Sequence, residues 1–142
     1  MDCSLCNLEV IESQKISETE KEFILYNKWA ATKGQCLVVP KRHVGNIRDL
    51  DESELNSLIK TVKKVSEKLN SELNPDGFNY GFNENQIAGQ EFKHLHFHVI
   101  PRYNEDNLRN NLIPKPTEVK KLADTDLKLQ VDKFKSLFLE NK

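Results

Sequence analysis

Three of the four histidines in this 142-residue chain fall within five positions, as His94, His96 and His98; His43 stands apart upstream. On a β-strand, side chains two residues apart point to the same face, so the three imidazoles are predicted to share one face of a strand. The other face would be anchored in the core by three apolar residues, Leu95, Phe97 and Val99. The pattern therefore predicts a strand with one chemical face and one structural face.

Imidazole near pH 7 can act as a nucleophile, carry a proton or bind a metal. One ion cannot take all three, because His94 and His98 would lie about 13 Å apart on an extended strand, whereas ligand nitrogens lie ~2 Å from a metal ion. Two neighbouring histidines could chelate one ion and leave the third for another purpose. The alternative to a chemical role is a set of solvated surface histidines, and the apolar face behind the triplet argues against it.

The three cysteines are Cys3, Cys6 and Cys36. The first two form a C-x-x-C, which suits a metal or redox role in a reducing compartment better than a disulfide framework. A pair of free surface cysteines is the plain alternative, and no thioredoxin-like strand precedes the motif. Cys36 lies in an apolar run and is predicted to be a small core residue. Because residues 1–22 lack the apolar segment of a secretory signal, we predict a cytoplasmic location.

The composition predicts one compact, ordered domain. Apolar residues make up 37 % of the chain and charged residues 30 %, with a formal net charge of −1. Such a charge gives no non-specific attraction to nucleic acid or to an anionic membrane. No apolar run approaches the roughly 18 residues of a membrane span. A small phosphate-bearing ligand remains possible, because its site needs only a few local donors.

The elements that must position these side chains can be read from apolar periodicity. Strands are predicted at residues 22–26, 36–40, 78–82 and 92–100, the last ended by Pro101 because proline offers no N–H to a ladder. A helix is predicted from Asp51, with Glu54 as its capping-box partner, to about Leu73. A second helix is predicted around residues 124–139. This order favours an α+β domain with an antiparallel sheet.

The run from His94 to Ile100 resembles the signature of the histidine triad (HIT) family, in which single apolar residues separate three histidines. The resemblance extends through Gly89-Gln90 and Pro101-Arg102, and takes in the segment from Leu37 to His43. It implies a HIT-like fold with an antiparallel sheet of about five strands, one long helix and a C-terminal helix. It also implies a single HIT domain over residues 1–142, with a core at 3–102 and a C-terminal helical extension at 103–142, and a homodimer.

In this family the middle histidine attacks the α-phosphorus of a nucleotide, and water then releases a nucleoside monophosphate from the nucleotidyl-histidine. By resemblance that role falls on His96. His98 would hydrogen-bond the phosphate or the leaving-group oxygen, Gln90 and Asn83 would donate to phosphate oxygens, and Asn27 would hold the ribose. The implied substrate is an adenosine-containing nucleotide, either a diadenosine polyphosphate or a nucleoside phosphoramidate. Ordinary loop asparagines are the plain alternative for Asn27 and Asn83.

The resemblance also implies a structural zinc site. Several microbial members, and the related galactose-1-phosphate uridylyltransferases, complete a C-x-x-C with two histidines, here giving the set Cys3, Cys6, His43 and His94. Two thiolates and two imidazoles make a closed tetrahedral site, which is structural and not catalytic.

Two positions depart from the family pattern and bear on substrate choice. Glu91 stands where many relatives carry Ser or Thr, and its carboxylate would repel a polyphosphate unless it points away. Gln35 stands where several branches carry histidine.

Other functions stay open at this point. Phosphate could intercept the same intermediate, which would make the protein a phosphorylase or nucleotidyltransferase. The chain could instead be a nucleotide-binding regulatory protein with negligible turnover. A metal-centred enzyme, in which His96 itself binds metal, is the least favoured reading.

Overall fold

A computed structural model describes residues 3–108 and 119–139. Five strands run over Lys15–Glu18 (β1), Glu22–Tyr26 (β2), Cys36–Pro40 (β3), Gly77–Gly81 (β4) and Phe97–Arg102 (β5). Three α-helices run over Leu8–Gln14 (α1), Glu52–Leu73 (α2) and Asp124–Leu139 (α3), and short 3₁₀ turns occupy Ser4–Cys6, Ile47–Asp49 and Gln86–Ala88. Residues 109–118 and 140–142 of the predicted C-terminal extension lie outside the described residues.

The strands form one sheet in the order β1-β2-β3-β5-β4, with every neighbouring pair antiparallel. This confirms the predicted α+β fold with a five-stranded antiparallel sheet, a long helix and a C-terminal helix. The predicted strands at 22–26 and 36–40 are confirmed, and the one at 78–82 is shifted by one residue. The short strand β1, which follows α1 directly, was not predicted because four residues carry little periodicity.

The predicted strand at 92–100 is wrong at both ends. Residues 92–96 form an irregular segment before β5. Within this segment Leu95 N–H donates to the Val44 carbonyl, outside the sheet, at 2.6 Å. At the other end β5 continues through Pro101. The Arg102 carbonyl accepts from Asp76 N–H, so the backbone polar groups of Arg102 face the β4 side. Those of Pro101 therefore face the β3 side. Pairing with β3 ends at Val99, so no N–H donor is needed at Pro101.

The long helix α2 begins and ends as the sequence predicts. The Asp51 carboxylate accepts from Glu54 N–H at 2.7 Å, and the Glu54 carboxylate accepts from Asp51 N–H at 3.0 Å, which closes the capping box. Asn74 ends the helix in the left-handed conformation at φ 45°. None of the helices within residues 3–108 and 119–139 is both long and apolar enough to cross a membrane.

The two faces of the sheet bury different clusters. One face packs against α2 and α3, and its cluster includes Val38 and Val99. The other face packs Leu25 and Leu37 against the N-terminal segment. Because His98 lies directly opposite Leu37 in the β3–β5 pair, its side chain belongs to this second face. The sheet thus separates the helical core from the face that carries His98.

Replacing Phe134 should test whether α3 belongs to the same core as the sheet. Its side chain is fully buried and packs on Tyr26 with ring centroids 5.3 Å apart. We expect Phe134→Ala to lower the free energy of unfolding by about 3–5 kcal/mol in urea titrations, through lost burial and the cavity left behind. The matched control is Leu129→Ala on the same helix, where Leu129 is 66 % exposed, and its effect should stay within about 0.5 kcal/mol. Similar losses for both variants would contradict this packing.

Candidate functional site

Two thiols and two imidazoles converge where the N-terminal segment meets the irregular segment before β5. The ligand atoms of Cys3, Cys6, His43 and His94 all lie within 4.8 Å of one another. Nδ1 of His94 lies 3.4 Å from each of the two sulfurs, and Nδ1 of His43 lies 3.3 Å from the Cys6 sulfur. The 3₁₀ turn Ser4–Cys6 brings the two thiols to one side. The structure therefore brings together all four residues predicted as ligands.

The spacing of these four ligand atoms fits an ion with tetrahedral coordination. Bond lengths of about 2.3 Å to sulfur and 2.0–2.1 Å to nitrogen place neighbouring ligand atoms roughly 3.5 Å apart in a tetrahedron. Three of the four sulfur–nitrogen distances are 3.3–3.4 Å. Desolvation and the neighbouring Cys3 raise the pKa of the Cys6 thiol, so an ion must displace protons to bind. The cluster could hold a metal whose ligands are thiolates and imidazoles.

His94 is oriented as a metal ligand requires. Its Nε2–H donates to the Pro40 carbonyl at 2.7 Å, which leaves Nδ1 unprotonated and aimed at the thiols. The ring is fully buried, and burial lowers its pKa. The Pro40 carbonyl was not anticipated, because no pattern in the sequence links residues 54 positions apart.

His96 lies two residues on and points elsewhere. Its Nδ1–H donates to the main-chain carbonyl of His94 at 2.9 Å, which leaves Nε2 with a free lone pair. Burial lowers the pKa of His96, and the His94 carbonyl and the charge of Glu91 oppose that shift only in part. The imidazole is therefore neutral at pH 7. Glu91 is exposed, yet its charge still reaches His96.

His98 lies beside His96, with ring centroids 5.0 Å apart. Its ring is buried, and burial, with the neighbouring His96, lowers its pKa to about 3. The Nδ1 atom of His98 lies 3.4 Å from the amide nitrogen of Gln35. The sequence marked Gln35 only as an unusual residue; its contact with His98 joins positions 63 residues apart and has no local signal.

The three predicted polar residues occupy different surroundings. Gln90 is buried, accepting from Asn85 N–H at 2.8 Å and donating to the Gly45 carbonyl at 3.1 Å. Asn27 is also buried, and its Oδ1 accepts from Trp29 N–H at 2.9 Å.

The third polar residue, Asn83, lies next to the histidines by register. It follows β4 by two residues and is half-buried. Gly81 pairs with His98 in the antiparallel β4–β5 pair. The same register extended by two residues sets Asn83 opposite His96.

This arrangement can support nucleophilic chemistry. A neutral imidazole with a free Nε2 lone pair, oriented by a carbonyl on its other nitrogen, is an activated nucleophile. A second neutral imidazole next to it offers a donor for an oxygen that gains charge. The cysteine–histidine cluster is joined to this pair through His94, whose ring faces the thiols and whose carbonyl accepts from His96.

Comparison with known proteins places these features in context. A model of the HIT domain matches residues 9–105, more than half of the chain. A bis(5'-adenosyl)-triphosphatase of Dictyostelium discoideum is 29 % identical over 133 residues, covering 92 % of this chain and 89 % of that protein. An adenosine 5'-monophosphoramidase of Schizosaccharomyces pombe is 31 % identical over 108 residues, covering 75 % of this chain and 78 % of that protein.

A solved structure extends the likeness to nearly the whole chain. The crystal structure of a hypothetical histidine triad nucleotide-binding protein from Sulfolobus tokodaii strain7 is similar with a TM-score of 0.78 at 27 % identity. The likeness covers 97 % of this chain and 93 % of that one.

The cysteines should differ sharply in reactivity. Cys6 is exposed, whereas Cys36 is fully buried and its thiol pKa is raised to about 12 by burial. Alkylation of the metal-free protein by iodoacetamide at mildly alkaline pH, followed by peptide mass spectrometry, should modify Cys6 first and leave Cys36 unmodified. All three cysteines should react after unfolding in urea, which serves as the control. Early modification of Cys36 in the folded protein would contradict this arrangement.

Proposed function

The chain belongs to the HIT domain family, and on that footing we propose that it is a nucleotide hydrolase that cleaves at the α-phosphate with His96 as the nucleophile. The observation that carries the proposal is the state of His96. Its Nδ1–H is held by the His94 carbonyl, its pKa is lowered by burial, and its Nε2 lone pair is left for attack.

The reaction proceeds in two displacements. Nε2 of His96 attacks the α-phosphorus, the P–N bond forms, and the bond from phosphorus to the leaving group breaks. The imidazole then carries positive charge, which the His94 carbonyl stabilises through Nδ1–H. In the second step water attacks phosphorus, the P–N bond breaks, and a nucleoside monophosphate leaves with His96 restored. Covalent catalysis divides one difficult displacement into two easier ones.

The neighbouring polar residues are assigned supporting roles. His98 donates to an oxygen that gains charge during the displacement. Gln90 uses one of its amide hydrogens on Gly45, which leaves the second for a phosphate oxygen, and Asn83 donates from the loop after β4. Asn27 holds the ribose from the segment between β2 and β3, with its Oδ1 already engaged by Trp29 N–H, so its amide hydrogens make the contact.

The choice of substrates follows from the relatives. Two of the relatives are named a bis(5'-adenosyl)-triphosphatase and an adenosine 5'-monophosphoramidase, which supports an adenosine-containing substrate. Phosphate as the acceptor in place of water, or binding without turnover, would be seen as outcomes of the same assay. The homodimer and the cytoplasmic location stay predictions from the sequence.

We assign the cysteine–histidine cluster to Zn²⁺, because two thiolates and two imidazoles in a tetrahedron are the ligand set that this ion prefers. Cys3, Cys6, His43 and His94 would fill all four positions and leave none for substrate, so the ion would stabilise structure. Through His94 it would fix the carbonyl that orients His96.

His96→Ala should abolish product formation. We expect wild type to release AMP from diadenosine triphosphate, diadenosine tetraphosphate or adenosine phosphoramidate, and the variant to lose at least about 10⁴-fold in kcat/KM because the nucleophile is gone. Chromatographic separation of the products measures both. Added phosphate that changes the product from AMP to ADP would identify a phosphorylase.

A loss of activity through misfolding is separated by chemical rescue. His96→Gly supplied with free imidazole should recover part of the lost activity, because imidazole can enter the vacated space and act as the nucleophile. Nucleotide binding by wild type with no release of product would overturn the hydrolase proposal.

Removing one predicted ligand should lower metal content. Wild type loaded with Zn²⁺ and dialysed should retain one ion per chain by atomic emission, and Cys6→Ser should retain far less. Zn²⁺ should raise the Tm of wild type but not of Cys6→Ser, because an ion that binds only the folded state stabilises it. Cys36→Ala removes a cysteine outside the cluster and should retain the ion. Equal zinc content in Cys6→Ser and wild type would contradict the ligand set.

A further inference from the structure

Gln35 is a buried amide in which both side-chain atoms are hydrogen-bonded. It is only 1 % exposed, immediately before β3. Its Oε1 accepts from Ala31 N–H at 2.7 Å, and its Nε2 lies 3.4 Å from Nδ1 of His98. Its main chain adds two further bonds, accepting from Asn27 N–H at 3.0 Å and donating to the Thr32 carbonyl at 3.3 Å. Gln35 therefore ties the segment between β2 and β3 to the imidazole of His98.

The orientation of the amide follows from its partners. A backbone N–H can only donate, so the oxygen of Gln35 must face Ala31 and the nitrogen must face His98. An amide nitrogen can only donate in turn. Nδ1 of His98 must then be the acceptor, and the proton of the neutral ring lies on Nε2.

We propose that Gln35 is a positioning residue that holds His98 as the neutral tautomer with its proton on Nε2. An imidazolium would carry a second proton on Nδ1, and that N–H would point at the N–H of Gln35. Turning the amide over would place its nitrogen against Ala31 N–H instead. In either orientation of the amide, two N–H donors would face each other in a buried place, at His98 in the first and at Ala31 in the second. The imidazolium form of His98 is therefore disfavoured. The low pKa of His98 agrees with this assignment.

The fixed tautomer has a consequence for the substrate, which rests on the proposed function. A neutral His98 can donate a hydrogen bond from Nε2, but giving up that proton would leave an imidazolate. It therefore suits leaving groups that depart as anions, such as the nucleoside diphosphate or triphosphate of a diadenosine polyphosphate. The amine of a phosphoramidate must take a proton as the P–N bond breaks. We infer that the site favours diadenosine polyphosphates over phosphoramidates.

The tautomer can be measured without any substrate. Long-range ¹H–¹⁵N spectra of the ¹⁵N-labelled protein, with His98 assigned by the loss of its signals in His98→Gln, report which ring nitrogen carries the proton. We expect a protonated Nε2 and an unprotonated Nδ1 in wild type at pH 7. A proton on Nδ1 in wild type would overturn the proposal directly.

Gln35→Glu tests the role of the amide nitrogen. The carboxylate can still accept from Ala31 N–H, but it presents a second acceptor to His98, which should draw a proton onto Nδ1. The matched control is Gln14→Glu, because Gln14 is also buried and its side chain bonds only to backbone. It accepts from Lys28 N–H and donates to the Val10 carbonyl. Gln14→Glu should keep the wild-type tautomer. Should Gln35→Glu fail to fold, Gln35→Met removes the donor without adding charge, and an unchanged His98 spectrum in it would overturn the proposal.

The substrate preference is tested by the ratio of kcat/KM for diadenosine triphosphate to that for adenosine phosphoramidate. We expect wild type to favour the former, and Gln35→Glu to shift the ratio by at least about tenfold toward the phosphoramidate, because general acid catalysis contributes 10²–10⁴-fold. An unchanged ratio with a changed tautomer would overturn the substrate inference alone. Wild type that turns over neither compound would overturn the proposed function, and the spectra would still decide the role of Gln35.

Discussion

The arrangement of this site depends on how His94 is held. Its ring donates to the Pro40 carbonyl and turns Nδ1 to the two thiols, and its own carbonyl receives the proton of His96. The bond from His96 to the His94 carbonyl needs that carbonyl to be free of regular strand pairing, where it would be used in the ladder. The irregular segment before β5 therefore allows His94 to join the cysteine–histidine cluster to His96. One buried imidazole couples the two centres through main-chain and side-chain bonds alone.

The two faces of the sheet carry side chains with different roles. Alternate residues of β5 point in opposite directions, so Val99 packs into the helical core while His98 stays with Leu37 on the other face. The packed helical side holds β5 in place and with it His98 beside the adjoining His96, as the proposed reaction requires of its nucleophile and donor. The face that carries His98 can hold a buried polar side chain where that side chain has partners, as Gln35 has in Ala31 and His98.

Local patterns predicted the elements, and long-range partners decided the site. The capping box of Asp51 and Glu54 and the apolar periodicity of α2 are short-range features, so both ends of the helix were predicted closely. The alternation around the histidines correctly predicted the burial of Leu95 and Val99, yet it could not show where pairing with β3 and β4 stops. That boundary depends on which residues stand opposite. The Gln35–His98 contact was missed for the same reason.

The long separation in sequence between the cysteine pair and His94 has a consequence while the chain is being synthesised from its N-terminus. Cys6 and His94 are 88 residues apart, so at a synthesis rate of about 5–20 residues per second the thiols exist for about 4–18 s before His94 is added. For that interval the pair is an unprotected dithiol on an incomplete chain, open to oxidants and to any metal ion that binds two thiolates. The integrity of the site is thus exposed to the chemistry of its surroundings before the fold can shield it.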